Sequence, residues 1–275
     1  MDNNYIQLDD WRVSYSVYGS GPALILLHGG SPGTSGDAYY SRNIVGLAKK
    51  FTLYVIDFPG WGKSSKNLLP IGQWVNPLEM GGEVISKFID ELSLERPHLL
   101  GSSFGASAAL YHAIKKPEAT GKIVLVSPGG GRMVGQPYSE PVVKLVTYYM
   151  GDGPTKTKFT SLNNTLTYNA DVFTAEELER RFELSCDPEI IANPPLRMPT
   201  NSLAAPLLCD DRRLERLEND VLLLWGRQDQ VQPLECMESF QGIRNKDVVI
   251  MNRCGHLPNM EYPERFNSLV TGFLS

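Results

Sequence analysis

The chain has 275 residues, 42% hydrophobic and 21% charged, enough to bury a core without a disulfide or metal staple. Its 26 basic residues are outnumbered by 31 acidic ones, a net charge of -5, so nothing draws it electrostatically to nucleic acid or an anionic membrane. No apolar run is long enough to span a bilayer, and the opening MDNNYIQLDDW has no basic segment ahead of an apolar stretch. A cytoplasmic protein with no membrane partner is expected. The four cysteines have no paired spacing, so reduced thiols are expected. Cys254 and His256 form a Cys-x-His without a second ligand cluster, and no metal, nucleotide or flavin is signalled.

Along the first half, short apolar runs alternate with amphipathic stretches, the pattern of a mostly parallel α/β sheet flanked by helices. WRVSYSVY at 11–18 alternates as an early antiparallel strand does. ALILLH at 23–28 reads as a buried strand entering the loop GGSPG, and FTLYVID at 51–57 as a second strand. Apolar residues recur at helical spacing from Glu79 to Leu94, and a short strand, HLLG, follows. FGASAALYHAIKK from Phe104 reads as a helix ending before Pro117, and KIVLVS at 122–127 as the next strand. No buried strand is legible between Pro128 and Pro206. The block TAEELERRFELS is strongly helical there, with Thr174 and Glu177 spaced as a capping box. Strands return at 220–226 and 247–251, and FNSLVTGFL closes as a helix. The expectation is a core of residues 1–130 and 207–275 interrupted by a helical cap at 131–206.

Residues 101–105 read GSSFG, a G-x-S-x-G placed between a strand and a helix. In that setting a serine stands on a tight turn at the positive end of the helix, as in the nucleophile elbow of the α/β-hydrolase fold. A serine hydroxyl needs a base to take its proton. Of four histidines, His98 and His112 fall within a strand and a helix, and His28 is better placed to shape the GGSPG loop. His256, after the last strand, is left as the base for Ser103. Asp229, after the strand LLLWG, completes the order Ser, Asp, His. Asp57 also ends a strand, but DFPGWGKS reads as a turn in which it bonds nearby backbone. Asp210 and Asp211 precede their strand. Backbone N–H groups of Phe104 and of Ser31, beside Gly30, are expected to form an oxyanion hole.

HGGSPG with YYSRN, GSSFGA, WGRQDQVQP and RCGHLPNMEYPERFNSLVTGFL together resemble the meta-cleavage product hydrolases, carbon–carbon bond hydrolases of aromatic degradation. The resemblance spans nearly the whole chain and is strongest outside the insertion. It implies a small-molecule substrate, a 2-hydroxy-6-oxohexa-2,4-dienoate substituted at carbon 6, a homodimer or larger homo-oligomer, and no cofactor. It implies that Arg181, in ELERRFE, meets the substrate carboxylate, while Arg180 stays on the surface. It also makes Gly29, Tyr39, Ser102 and Leu257 substrate-contacting positions. Many relatives carry Asn where this chain has Tyr39 and Ser102, and Trp where it has Leu257. Two other readings stand beside it: a carboxylesterase using the same three residues, and a hydrolase-fold receptor that binds without turnover.

Overall fold

A computed structural model of the protein describes residues 4–66, 77–130, 137–196 and 211–275. The eight strands are β1 (Asn4–Leu8), β2 (Trp11–Tyr18), β3 (Ala23–Leu27), β4 (Thr52–Ile56), β5 (His98–Ser102), β6 (Ile123–Val126), β7 (Val221–Gly226) and β8 (Lys246–Met251). They form one sheet in the order β1-β2-β4-β3-β5-β6-β7-β8. Strand β2 runs antiparallel to β1 and β4, and every pairing from β4 onward is parallel. Strand β1 is the element the sequence reading did not anticipate: NYIQL is mostly exposed and carries little periodic signal.

The central strands are apolar throughout because both faces are covered. Ile25 and Leu27 point into one apolar cluster with Phe88, Ala109 and Leu223, whereas Leu24 and Leu26 point into another with Leu53, Phe266 and Val270. The first cluster is roofed by α1 (Pro77–Glu91) and α2 (Phe104–Lys115), and the C-terminal helix Pro263–Leu274 packs on the second.

Between β6 and β7 the described residues contain helices and no strand, among them α3 (Glu140–Val146), α4 (Lys156–Asn163), α5 (Ala175–Ser185) and α6 (Pro188–Ala192). The capping box of α5 is formed as expected. The Thr174 hydroxyl accepts from the Glu177 N–H, and the Glu177 carboxylate accepts from the Thr174 N–H. The expected limits of the insertion, at 131 and 206, lie outside the described residues, as do Cys209 and Asp210.

One glycine fixes how closely α2 can approach the sheet. A Cβ on Gly105 would lie 2.3 Å from the Leu27 carbonyl oxygen and 2.7 Å from that of His28. Gly105→Ala is therefore expected to force α2 away from β3 and cost about 1–3 kcal/mol of stability. A lowered urea midpoint with an unchanged slope would register it.

Candidate active site

Ser103 lies between the end of β5 and the start of α2, with φ 51° and ψ -114°. A non-glycine residue in that region is strained. Hydrogen bonds on both sides hold it there: its N–H donates to the Val126 carbonyl at 2.8 Å, and its carbonyl accepts from the N–H groups of Ser107 and Gly129 at 3.2 and 3.1 Å. The residue is half-buried. Phe104 opens the helix, and its N–H has no acceptor within the helix. The HGGSPG loop abuts this turn: a Cβ on Gly30 would lie 3.4 Å from the Phe104 Cβ. Ser31, next in the loop, is buried.

Asp229 and His256 meet at the same edge of the sheet. The His256 Nδ1 donates to Asp229 Oδ2 at 2.8 Å, with both side chains almost fully buried. The other carboxylate oxygen accepts from the N–H groups of Val231 and Gln232 at 2.8 and 2.9 Å, which locks its rotation. The Trp225 indole, donating to the Gln232 carbonyl at 2.7 Å, braces this loop from below. With its Nδ1–H donated to Asp229, the imidazole carries its free lone pair on Nε2. His256 follows β8, an edge strand, yet its loop leans inward over the end of β7. A Cβ on Gly226 would stand 1.9 Å from the Gly255 carbonyl oxygen.

The remaining polar groups separate into structural and open ones. The His28 imidazole donates from Nδ1 to the Gly29 carbonyl at 2.7 Å and accepts the Phe58 N–H on Nε2 at 3.0 Å. Burial pushes its pKa down to about 4, so it shapes the loop as a neutral ring. His112 is buried against Ser86 and pushed down to about 4. The Asp57 carboxylate accepts from the N–H groups of Gly36 and Lys63 at 2.7 and 2.8 Å, the backbone-binding turn expected of it. Arg181 differs. It is buried on α5, its Nη1 has no hydrogen-bond partner, and burial pushes its pKa down to about 10. The guanidinium lies 4.8 Å from the Phe173 ring centre, while Arg180 is exposed. Helix α5 comes this close because Gly33, with φ +65°, has no side chain: a Cβ there would lie 1.8 Å from the Arg181 carbonyl oxygen.

Tyr39 stands within electrostatic reach of both Arg181 and Asp229. Its buried phenol shares a 2.7 Å hydrogen bond with the Ser102 hydroxyl, and burial raises its pKa far enough to keep it protonated. Two of the positions that depart from the family pattern are thus bonded to each other. A Cβ on Gly29 would stand 3.0 Å from the Tyr39 hydroxyl. Leu257 packs in the apolar cluster with Val231 and Met260. The open cleft lined by Gly30, Gly33, Trp61, Leu184 and Leu196 flanks this constellation but is not lined by Ser103, His256 or Arg181.

The profile of the Alpha/beta hydrolase family matches residues 24–269. A 2-hydroxy-6-oxononadienedioate/2-hydroxy-6-oxononatrienedioate hydrolase of Paraburkholderia phymatum is 33% identical, covering 96% of this chain and 91% of its own. The chain belongs to the meta-cleavage product hydrolases of the alpha/beta hydrolase family. It is also 30% identical to a 2-hydroxy-6-oxo-6-phenylhexa-2,4-dienoate hydrolase of Comamonas testosteroni over 97% of this chain and 92% of that one. Among solved structures, a meta-cleavage product hydrolase from Pseudomonas fluorescens IP01 superposes with a TM-score of 0.85 at 26% identity, covering 98% and 96% of the two chains. Family membership makes the chain a hydrolase of carbon–carbon bonds, the first of the three readings of the sequence.

Proposed function

We propose that this chain hydrolyses a carbon-6-substituted 2-hydroxy-6-oxohexa-2,4-dienoate to 2-hydroxypenta-2,4-dienoate and a carboxylic acid. Ser103 serves as nucleophile, His256 as base and Asp229 as the group that orients the imidazole. The buried Arg181 guanidinium, its Nη1 without a hydrogen-bond partner, carries the reading beyond a simple esterase. An ester needs no such cation, whereas the carboxylate of a dienoate matches its planar fork. Residues 131–206 act as a cap domain over a core of 1–130 and 207–275. Tyr39, Ser102 and Gly29 line the dienoate side, with Leu257 behind them. The protein works in the cytoplasm as a homodimer or larger homo-oligomer, on a small molecule, with neither nucleic acid nor membrane as partner; no helix among the described residues is long and apolar enough to cross a bilayer.

The chemistry sets the order of steps. A carbanion leaves poorly unless its charge is delocalised, so the proton of the 2-hydroxyl must first move to carbon 5, giving a 2,6-diketone with a double bond between carbons 3 and 4. His256 Nε2 then takes the Ser103 proton as Oγ adds to carbon 6, and the oxyanion meets the N–H groups of Phe104 and Ser31 beside Gly30. The carbon 5–carbon 6 bond breaks, its electron pair spreads through the double bond onto the 2-oxo group as a dienolate, and the proton that His256 took from Ser103 passes to that oxygen, giving the dienol and a neutral imidazole. Water, activated by His256, releases the acid from Ser103. The products test this reading. Incubated with the 6-phenyl dienoate, the enzyme should give benzoate and 2-hydroxypenta-2,4-dienoate in equal amounts, resolved by chromatography. A ketonised but uncleaved product would contradict it.

A further inference from the structure

Glu261, five residues beyond His256, is not part of the Ser–His–Asp arrangement, yet it bonds both sides of the histidine loop. Its Oε1 accepts the Gly255 N–H at 2.7 Å, with the Cys254 thiol 3.7 Å away. Its Oε2 accepts the N–H groups of Tyr168 and Asn169, in the insertion, at 2.9 and 3.2 Å. The two segments it joins are in direct backbone contact. The His256 N–H donates to the Leu166 carbonyl at 2.8 Å, and a Cβ on Gly255 would stand 2.8 Å from the Tyr168 nitrogen. The short helix carrying Glu261, Pro258–Glu261, is held from its other side by Arg42, which donates to the carbonyls of Met260 and, in the insertion, Val172. A half-buried carboxylate spanning three backbone donors would be a costly group to retain for surface solubility alone.

We propose that Glu261 is a positioning residue: its carboxylate fastens the insertion segment Tyr168–Asn169 to the Gly255–His256 backbone, and so fixes where the imidazole stands relative to Ser103. The insertion is on this side a support for the base, not a lid free to lift from it. Gln cannot replace it fully, because an amide offers one acceptor oxygen and can serve Gly255 or the insertion pair, but not both. The inference rests on His256 being the base, so His256→Ala is the reference variant.

The test compares Glu261→Ala, Glu261→Gln and His256→Ala in the full-length protein, with kcat and KM for the 6-phenyl dienoate and thermal melting on each. The low-field proton resonance of the His256–Asp229 hydrogen bond is recorded alongside. The expected result for Glu261→Ala is a kcat lowered about tenfold or more, since small misplacements of a reacting group weigh heavily on rate. KM should change little, and the low-field resonance should shift or broaden. Glu261→Gln should fall between this variant and the wild type. The inference is overturned if kcat per folded molecule in Glu261→Ala equals that of the wild type while His256→Ala is inactive. If His256→Ala itself keeps its turnover, it is the assignment of the base that fails.

Discussion

Replacing Ser103 with alanine is expected to lower turnover of the dienoate by about 10³-fold or more while leaving the substrate bound. The fall is large because the hydroxyl forms and later breaks the covalent bond to carbon 6, and no neighbouring group can substitute. Ser102 immediately precedes it in the chain, but that residue is fully buried and its hydroxyl is bonded to Tyr39. Binding should survive because Arg181 lies on α5, a different element from the turn that carries Ser103. The backbone should tolerate the change, since the positive φ at position 103 is imposed by its hydrogen bonds to Val126, Ser107 and Gly129 and not by the hydroxyl. Rapid mixing of the variant with substrate should give a persistent change in the dienolate spectrum, and single-turnover analysis should find no acid released. Turnover equal to the wild type would remove Ser103 from the chemistry.

Replacing Arg181 with methionine should move activity and stability in opposite directions. The guanidinium is buried, its Nη1 has no partner, and burial lowers its pKa to about 10, all signs of a charge held at a cost in the free protein. Methionine has a similar reach and no charge, so the variant should unfold at higher denaturant, by about 1 kcal/mol or more. Loss of a charge-assisted contact to the substrate carboxylate should lower kcat/KM by about ten- to a hundredfold, matching about 1.5–3 kcal/mol. Arg181→Lys should recover little, because an ammonium does not reproduce the planar fork that Phe173 stacks against. A variant with reduced stability and unchanged kcat/KM would assign Arg181 to packing alone.

The parallel strands and α2 were legible because their signals are local. Runs such as ALILL and VLLLW are fully or nearly fully buried, and the G-x-S-x-G turn has few other uses between a strand and a helix. Pairing Asp229 with His256 was legible from chain order and from the rule that loops at the carboxyl ends of strands carry the site. Separating Arg181 from Arg180 came from the family resemblance, and the structure gives the physical reason, since only one of two adjacent helix positions can face inward. What escaped the sequence was long-range and made by backbone. Strand β1 is mostly exposed and lacks an apolar pattern. The Tyr39–Ser102 bond joins positions 63 apart, each read only as a departure from its relatives. Glu261 acts on N–H groups, which every residue type but proline supplies, so neither partner segment carries a mark of it. Its spacing from His256, just past one turn of a short helix that starts with Pro258, is the one local cue it leaves.

Comparing kcat/KM for the 6-phenyl dienoate with that for a simple ester such as p-nitrophenyl acetate, on the same purified protein, tests the central claim most directly. The dienoate is followed by loss of its yellow dienolate absorbance. The account predicts rapid bleaching of the dienoate, abolished in Ser103→Ala, and a kcat/KM for the ester lower by orders of magnitude. Undiminished colour alongside fast ester hydrolysis would contradict it and make this chain a carboxylesterase on the same scaffold.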